Sequence, residues 1–80
     1  MSSLTSNDYL AAGILALELS SLTAASKVIG KSPERARQML NKAFRIAGCH
    51  HKKRILPLSF KDAIAEKDYW IGCLREAMTD

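Results

Sequence analysis

The chain has 80 residues, a net charge of +4 and a hydrophobic fraction of 48%. This length allows one domain with a modest core, and the composition excludes wholesale disorder. No apolar segment approaches the roughly 20 residues of a membrane span, and no secretory leader is recognisable. We therefore expect a cytoplasmic protein without membrane contact, in which Cys49 and Cys73 stay reduced.

Positive charge is concentrated in the middle of the chain. Between Lys27 and Arg54 there are nine Lys or Arg residues and a single acid, Glu34, whereas the remaining residues are net acidic. A basic segment between acidic ends is typical of a domain that presents one face to a polyanion. The charge pattern thus favours a nucleic acid as the partner.

In chain order, residues 1–5 are predicted to be a frayed leader. A first helix is expected from about Asp8 to Ser21, capped by Ser6 or Asn7. Its apolar residues cover more than one side, which predicts a helix enclosed by the rest of the domain. Tyr9 is predicted to be a half-buried core residue.

A second helix is predicted to start at Leu22 or Thr23 and to end at Gly30, where a left-handed residue is needed to leave the helix. A third helix should begin behind it, with Ser32 as its N-cap and Pro33 at the first helical position. Two short helices joined by a tight glycine turn predict a helix-turn-helix at about residues 22–47.

The third helix, about residues 33–47, is amphipathic. Its apolar positions recur at spacings of three and four: Ala36, Met39, Leu40, Ala43, Phe44 and Ala47. The other face collects side chains that can bind guanine, adenine or phosphate: Arg35, Arg37, Gln38, Asn41, Lys42 and Arg45. This pattern predicts a recognition helix that enters the major groove of duplex DNA.

The segment KVIGKSPERARQMLNKAFR resembles the −35-recognition helix-turn-helix, region 4, of sigma-70-type RNA polymerase factors. The matching positions are Lys27, Gly30, Ser32, Glu34, Arg35, Arg37, Gln38, Lys42, Ala43 and Arg45. Two positions depart from the family pattern, because Pro33 replaces an Arg and Lys31 replaces a hydrophobic residue. The resemblance implies base contacts by Glu34 and Gln38, and contacts by Arg35 and Arg37 to bases or backbone.

Together the residues and the resemblance give a set of candidate DNA contacts. The base-contacting candidates are Glu34, Arg35, Arg37, Gln38 and Asn41. The phosphate-contacting candidates are Lys27, Lys31, Ser32, Lys42, Arg45, Lys52, Lys53 and Arg54. The last three belong to a basic segment after Gly48, the residue at which we expect the third helix to stop.

No catalytic, metal or cofactor site is predicted. Adjacent Cys49, His50 and His51 cannot easily close one tetrahedron around a metal ion, and the chain lacks CxxC and HxxxH spacings. Paired carboxylates and a Gly-rich phosphate loop are also missing from the sequence, so we do not expect an enzyme.

The segment from Ile55 to Leu58 is an apolar connector, and Ser59 is predicted to cap one last helix extending to about Met78. This helix could fold back onto the core or pair with a second copy. We favour a homodimer, with Trp70, Ile71, Leu74 and Met78 as candidate dimer contacts.

The sequence therefore predicts an all-α protein: one small four-helix domain over residues 1–80, containing a helix-turn-helix, with its C-terminal helix at about 59–78. The predicted function is sequence-specific binding of double-stranded DNA as a transcriptional regulator. The alternative is a protein-interaction module with a sigma-like shape that binds RNA polymerase or another regulator through the Trp70 region.

Overall fold

A computed structural model of the protein describes residues 4–50, 56–57 and 59–79. Within those ranges the chain forms five helices and no strand, which confirms the all-α prediction. The helices are α1 (Ser6–Leu19), α2 (Leu22–Ile29), α3 (Pro33–His50), α4 (Phe60–Ala65) and α5 (Lys67–Thr79). None of the described helices is both long and apolar enough to cross a membrane.

The first helix begins earlier than predicted because Thr5, rather than Ser6 or Asn7, is its N-cap. The Thr5 hydroxyl accepts the Asp8 N–H at 3.2 Å, and the Asp8 carboxylate accepts the Thr5 N–H at 2.8 Å. This reciprocal pair is a capping box, which satisfies two of the backbone donors left free at a helix start. The helix ends at Ser20, which adopts a left-handed conformation with φ 53°.

The predicted boundaries of α2 and the start of α3 are confirmed. Ser21 caps α2, and Gly30 ends it with φ 73°, a conformation that glycine adopts without strain. Ser32 caps α3, because its hydroxyl accepts the Arg35 N–H at 3.1 Å. Three residues, 30–32, therefore separate the two helices, and the buried Ala25 and Ser26 lie on the inner side of α2.

The third helix does not stop at Gly48 as predicted but continues to His50. A Cβ atom at Gly48 would lie only 3.2 Å from a methyl carbon of Leu56. The glycine is thus explained by the close approach of the chain that returns past α3, rather than by a helix end. The side chains of Cys49 and His50 and the whole of 51–55 and 58 lie outside the residues described here.

The C-terminal segment forms two helices where one was predicted, because the helix breaks at Glu66. Glu66 has φ −122° and ψ 39°, outside the helical range, and its N–H donates to the Ala63 and Ile64 carbonyls. The next helix starts at once, since the Trp70 N–H donates to the Glu66 carbonyl at 3.1 Å. Ser59 caps α4 as predicted, by accepting the Asp62 N–H at 3.2 Å.

The break at Glu66 allows α5 to fold back onto α1 and α3. Trp70 is 1% exposed and Leu74 is fully buried, and the Trp70 ring meets the edge of Phe44 in α3 with centroids 5.1 Å apart. Trp70, Ile71 and Leu74 are thus part of the protein's own core, and Met78 packs half-buried against it. Side chains buried in this way cannot contact a second copy, so the prediction of Trp70, Ile71 and Leu74 as dimer contacts is wrong, whereas that of Met78 stays a prediction.

The two helices at the centre of the fold, α1 and α3, cross closely at Gly13. A Cβ atom at this position would lie 2.9 Å from the Ala43 Cβ and 3.2 Å from methyl groups of Leu40 and Leu74. Leu10 and Leu17, one turn to either side, are fully buried. Glycine at residue 13 therefore lets α1 pack closely against the buried face of α3, while α5 packs against both helices.

Candidate nucleic-acid interface

The third helix has one buried and one exposed face, as its sequence predicts. The buried residues are Ala36, Met39, Leu40, Ala43, Phe44 and Ala47. The exposed residues are Glu34, Arg37, Gln38, Asn41, Lys42 and Arg45, and we refer to these six as the polar face of α3. Because a helix repeats every 3.6 residues, Glu34, Gln38, Asn41 and Arg45 form the row furthest from the core.

Glu34 and Arg37 form an ion pair in the first turns of α3. The Arg37 Nε donates to Glu34 Oε1 at 3.1 Å, and Nη2 of the same guanidinium donates to Oε2. These hydrogen bonds lower the pKa of Glu34 and raise the pKa of Arg37, with a smaller contribution to Glu34 from Gln38. Both groups are therefore charged at neutral pH.

The ion pair has two consequences for this end of α3. Its charges cancel, so Glu34 does not leave an isolated carboxylate on the polar face of α3. The bidentate contact also restricts the orientation of the guanidinium, although both side chains remain about half exposed, at 49% for Arg37 and 61% for Glu34. Spacing of i, i+3 on a helix is the sequence signal that could have predicted this pair.

The flank of α3 that faces α1 carries Lys42 and Arg35. The Lys42 ammonium lies over the ring of Tyr9, 5.8 Å from its centroid, which is within the range of a cation–π contact. Tyr9 is half-buried, as predicted, and so is Arg35. No sequence pattern predicts the contact between Tyr9 and Lys42, because the two residues belong to different helices.

Three further candidate contacts lie around the turn before α3. Lys27, Lys31 and Ser32 are all exposed. Ser32 uses an oxygen lone pair as the N-cap, but its hydroxyl proton can still be donated. Lys52, Lys53 and Arg54 lie outside the described residues.

On the other flank of the polar face, a small cavity of about 210 Å³ separates α3 from the start of α4. Leu40, Phe44 and Phe60 supply its apolar wall, and Arg37 and Asn41 line it from the polar face. The end of α1 and the body of α5 lie on a different side of the domain. There Arg75 donates to Glu18 at 2.9 Å, and Lys67 donates to the Ser20 hydroxyl at 3.1 Å.

The charges of the domain are thus divided between its surfaces. Helix α3 holds four Lys or Arg residues and one acid, whereas α4 and α5 with Glu66 between them hold three cations and four acids. No protein-family model, curated protein or solved structure gives a significant match to this chain. The function must therefore be inferred from the domain itself: a small all-α unit that exposes one polar, cationic helix face.

Proposed function

We propose that this protein is a sequence-specific, double-stranded DNA-binding transcriptional regulator in which α3 enters the major groove. In this proposal α2, the Gly30 turn and α3 act as a helix-turn-helix similar to region 4 of sigma-70-type factors. In this role it would repress or activate particular promoters.

The observation that carries the proposal is the polar face of α3. Its outermost row combines an acid and two amides, which can bind base edges in the major groove, with the Arg45 guanidinium, which can bind phosphate. The opposite face of the same helix is packed against α1, so the row is held on a rigid element.

The candidate DNA contacts divide by expected role. Glu34, Arg35, Arg37, Gln38 and Asn41 would contact bases. Lys27, Lys31, Ser32, Lys42 and Arg45 would contact phosphates, with Lys52, Lys53 and Arg54 adding contacts from the segment outside the described residues. Phosphate contacts position a protein on the duplex, and base contacts provide the sequence preference.

The test is selection from a random duplex DNA pool with the wild type and with an Arg37→Ala/Gln38→Ala variant. We expect the wild type to enrich one motif and the variant to lose that preference, since a good side-chain–base pair is worth about 1–3 kcal/mol of discrimination. Arg75→Ala is the matched control, because it removes an exposed guanidinium from the α1–α5 side. It should enrich the same motif as the wild type.

Phosphate contacts are tested by the salt dependence of affinity. Lys31→Ala should weaken binding to all duplexes alike and reduce the slope of log affinity against log salt by about 0.9. Arg37→Ala should instead weaken the selected motif more than a scrambled duplex. Enrichment of no motif by the wild type, or equal effects of both substitutions on all sequences, would contradict the proposal.

The alternative of a protein-interaction module is weakened by the burial of Trp70. That interpretation depended on an exposed contact surface around Trp70, and this side chain is 1% exposed.

A further inference from the structure

The contact between Tyr9 and Lys42 joins α1 to the polar face of α3. Lys42 is exposed to solvent, and its ammonium lies over the Tyr9 ring, 5.8 Å from the centroid. An exposed lysine normally samples many rotamers, and fixing one of them on binding weakens the affinity for a partner. Because the ring attracts the ammonium, Tyr9 orients Lys42 before any partner is bound.

Tyr9 combines a half-buried ring with a hydroxyl that reaches solvent. The ring packs against the hydrophobic core. In the part of the chain that the structure describes, the Tyr9 hydroxyl neither forms a hydrogen bond nor is buried without one. A tyrosine held by its ring, with its hydroxyl open to water, can donate that proton to a bound group without moving.

No acid of the described residues occupies these two donors. Lys42 forms no ion pair within the described ranges. The carboxylate of Asp8, the acid next to Tyr9 in the chain, accepts the Thr5 N–H at 2.8 Å and lines a cavity on the α2 side of α1 that Tyr9 does not line. The ammonium and the hydroxyl are therefore both available to an anion outside the protein.

We propose that Tyr9 is an additional DNA-backbone contact, supplied by α1. Its hydroxyl donates to a phosphate oxygen close to the phosphate that Lys42 binds, and its ring orients Lys42 for that contact. Tyrosine is among the side chains that donate hydrogen bonds to DNA phosphates. The contact would join α1, which otherwise supports α3 from its buried side, directly to the duplex.

This inference rests on the proposed function, in which α3 enters the major groove. The groove is bordered by the two sugar–phosphate backbones, and the base edges lie at its floor. Tyr9 and Lys42 lie on the flank of α3 that faces α1, beside the outermost row formed by Glu34, Gln38, Asn41 and Arg45. Donors on a flank meet phosphates, whereas the outermost row meets bases.

Duplex affinities of Tyr9 variants separate the two roles of this side chain. Tyr9→Phe removes only the hydroxyl and keeps the ring beside Lys42, whereas Tyr9→Leu removes both. Tyr69→Phe is the matched control, because it removes the hydroxyl of the other tyrosine, which is 42% exposed on α5. Affinity is measured for the selected motif and for a scrambled duplex over a range of salt concentrations. Circular dichroism confirms that each variant is folded.

We expect Tyr9→Phe to weaken binding to both duplexes by about threefold to tenfold, the usual net effect of one hydrogen bond. The slope of log affinity against log salt should not change, because the hydroxyl carries no charge. Lys42→Ala should instead reduce that slope by about 0.9. Tyr69→Phe should bind as the wild type does.

The role of the ring is tested in combination with Lys42→Ala. Tyr9→Leu should weaken binding more than Tyr9→Phe, because Lys42 loses its orientation. In the Lys42→Ala background the two Tyr9 variants should bind alike, since no ammonium is left to orient. In NMR spectra of the free protein, the ring current should shift the Lys42 methylene resonances in the wild type and in Tyr9→Phe, but not in Tyr9→Leu. If Tyr9→Leu does not fold, Tyr9→Phe provides the test.

Two results would overturn the inference while the wild type still selects a motif. One is a Tyr9→Phe protein that binds both duplexes as tightly as Tyr69→Phe, which would mean that the hydroxyl contacts no phosphate. The other is a loss confined to the selected motif, which would assign Tyr9 to a base. A wild type that binds no duplex would contradict the proposed function itself, and the inference with it.

Discussion

Replacing Gly13 by alanine should destabilise the protein, although alanine is the better helix former. The added Cβ would lie 2.9 Å from the Ala43 Cβ, closer than non-bonded carbon atoms pack. Ala43 cannot rotate its methyl group away, because a Cβ is fixed to the helix backbone. The helices α1 and α3 would therefore have to move apart.

Two opposing terms set the magnitude. Overpacking a core typically costs about 1–3 kcal/mol. Exchanging a glycine for an alanine inside a helix gains about 0.5–1 kcal/mol. The net expectation for Gly13→Ala is a loss of about 1 kcal/mol, with a possible range from about zero to 2.5 kcal/mol.

Gly72 provides a matched control because it lies inside α5 and a Cβ there would meet nothing within 4 Å. Gly72→Ala should gain the helix term alone, so the two variants should differ by the overpacking term of about 1–3 kcal/mol. In a domain of this size each kcal/mol shifts the melting temperature by about 4–8 °C. Thermal and urea unfolding, followed by circular dichroism, measure the difference.

A second substitution identifies the atoms involved. Ala43→Gly removes the Cβ that Gly13→Ala would strike, so the double variant should be more stable than the sum of the single effects, with a coupling of about 0.5–3 kcal/mol. A Gly13→Ala protein as stable as Gly72→Ala would refute the proposed close approach of α1 and α3. Strict additivity in the double variant would show that the strain lies elsewhere.

Three other predictions concern the turn, the core and the ion pair. Gly30→Ala places alanine at φ 73° and should cost about 1–2 kcal/mol in urea unfolding, whereas Gly30→Asn should cost less; equal stability of all three proteins would contradict this. Leu17→Ala empties a fully buried position and should cost about 2–5 kcal/mol, a large share of the stability of a small domain, and a loss under 1 kcal/mol would argue against its burial. Arg37→Met removes the donor that lowers the pKa of Glu34, so carboxyl NMR should show that pKa rising towards its ordinary value. A carboxylate whose pKa is lower in the folded than in the unfolded state stabilises the fold at pH values above its unfolded-state pKa, and this stabilisation is lost as the pH falls through its folded-state pKa. Arg37→Met should therefore also reduce the loss of stability in acid. An unchanged titration of Glu34 would mean that the ion pair is not formed.

The sequence predicted the segments whose ends have local chemical causes. Ser32, Gly30 and Ser59 each act at the position predicted, because caps and left-handed residues depend on a few neighbouring backbone atoms. The polar face of α3 could also be predicted from the sequence, since the spacing of apolar residues on a helix follows directly from helix geometry. For the same reason the core residues of α3 were predicted correctly.

The remaining features depend on contacts between distant parts of the chain. Gly48 is a residue of the type that commonly ends a helix, yet Leu56 packs against it and α3 continues past it. No glycine or proline near Glu66 predicts the helix break at this residue. The break is explained by the burial of Trp70 and Leu74 against α1 and α3. If residues 59–78 formed one continuous helix, its apolar residues would cover more than one side, and this pattern predicted a second copy of the chain as their partner.

The position of Trp70 also gives the protein an internal optical reporter. It is the only tryptophan of the chain, and its ring lies against Phe44 on the side of α3 that faces away from the polar row. Its emission therefore reports whether α3 is docked on the core, while the ring itself stays out of reach of any molecule bound to the polar face. A change in this emission when a molecule binds the polar face would therefore report a movement of α3 on the core rather than direct contact with the bound molecule, and no label has to be attached.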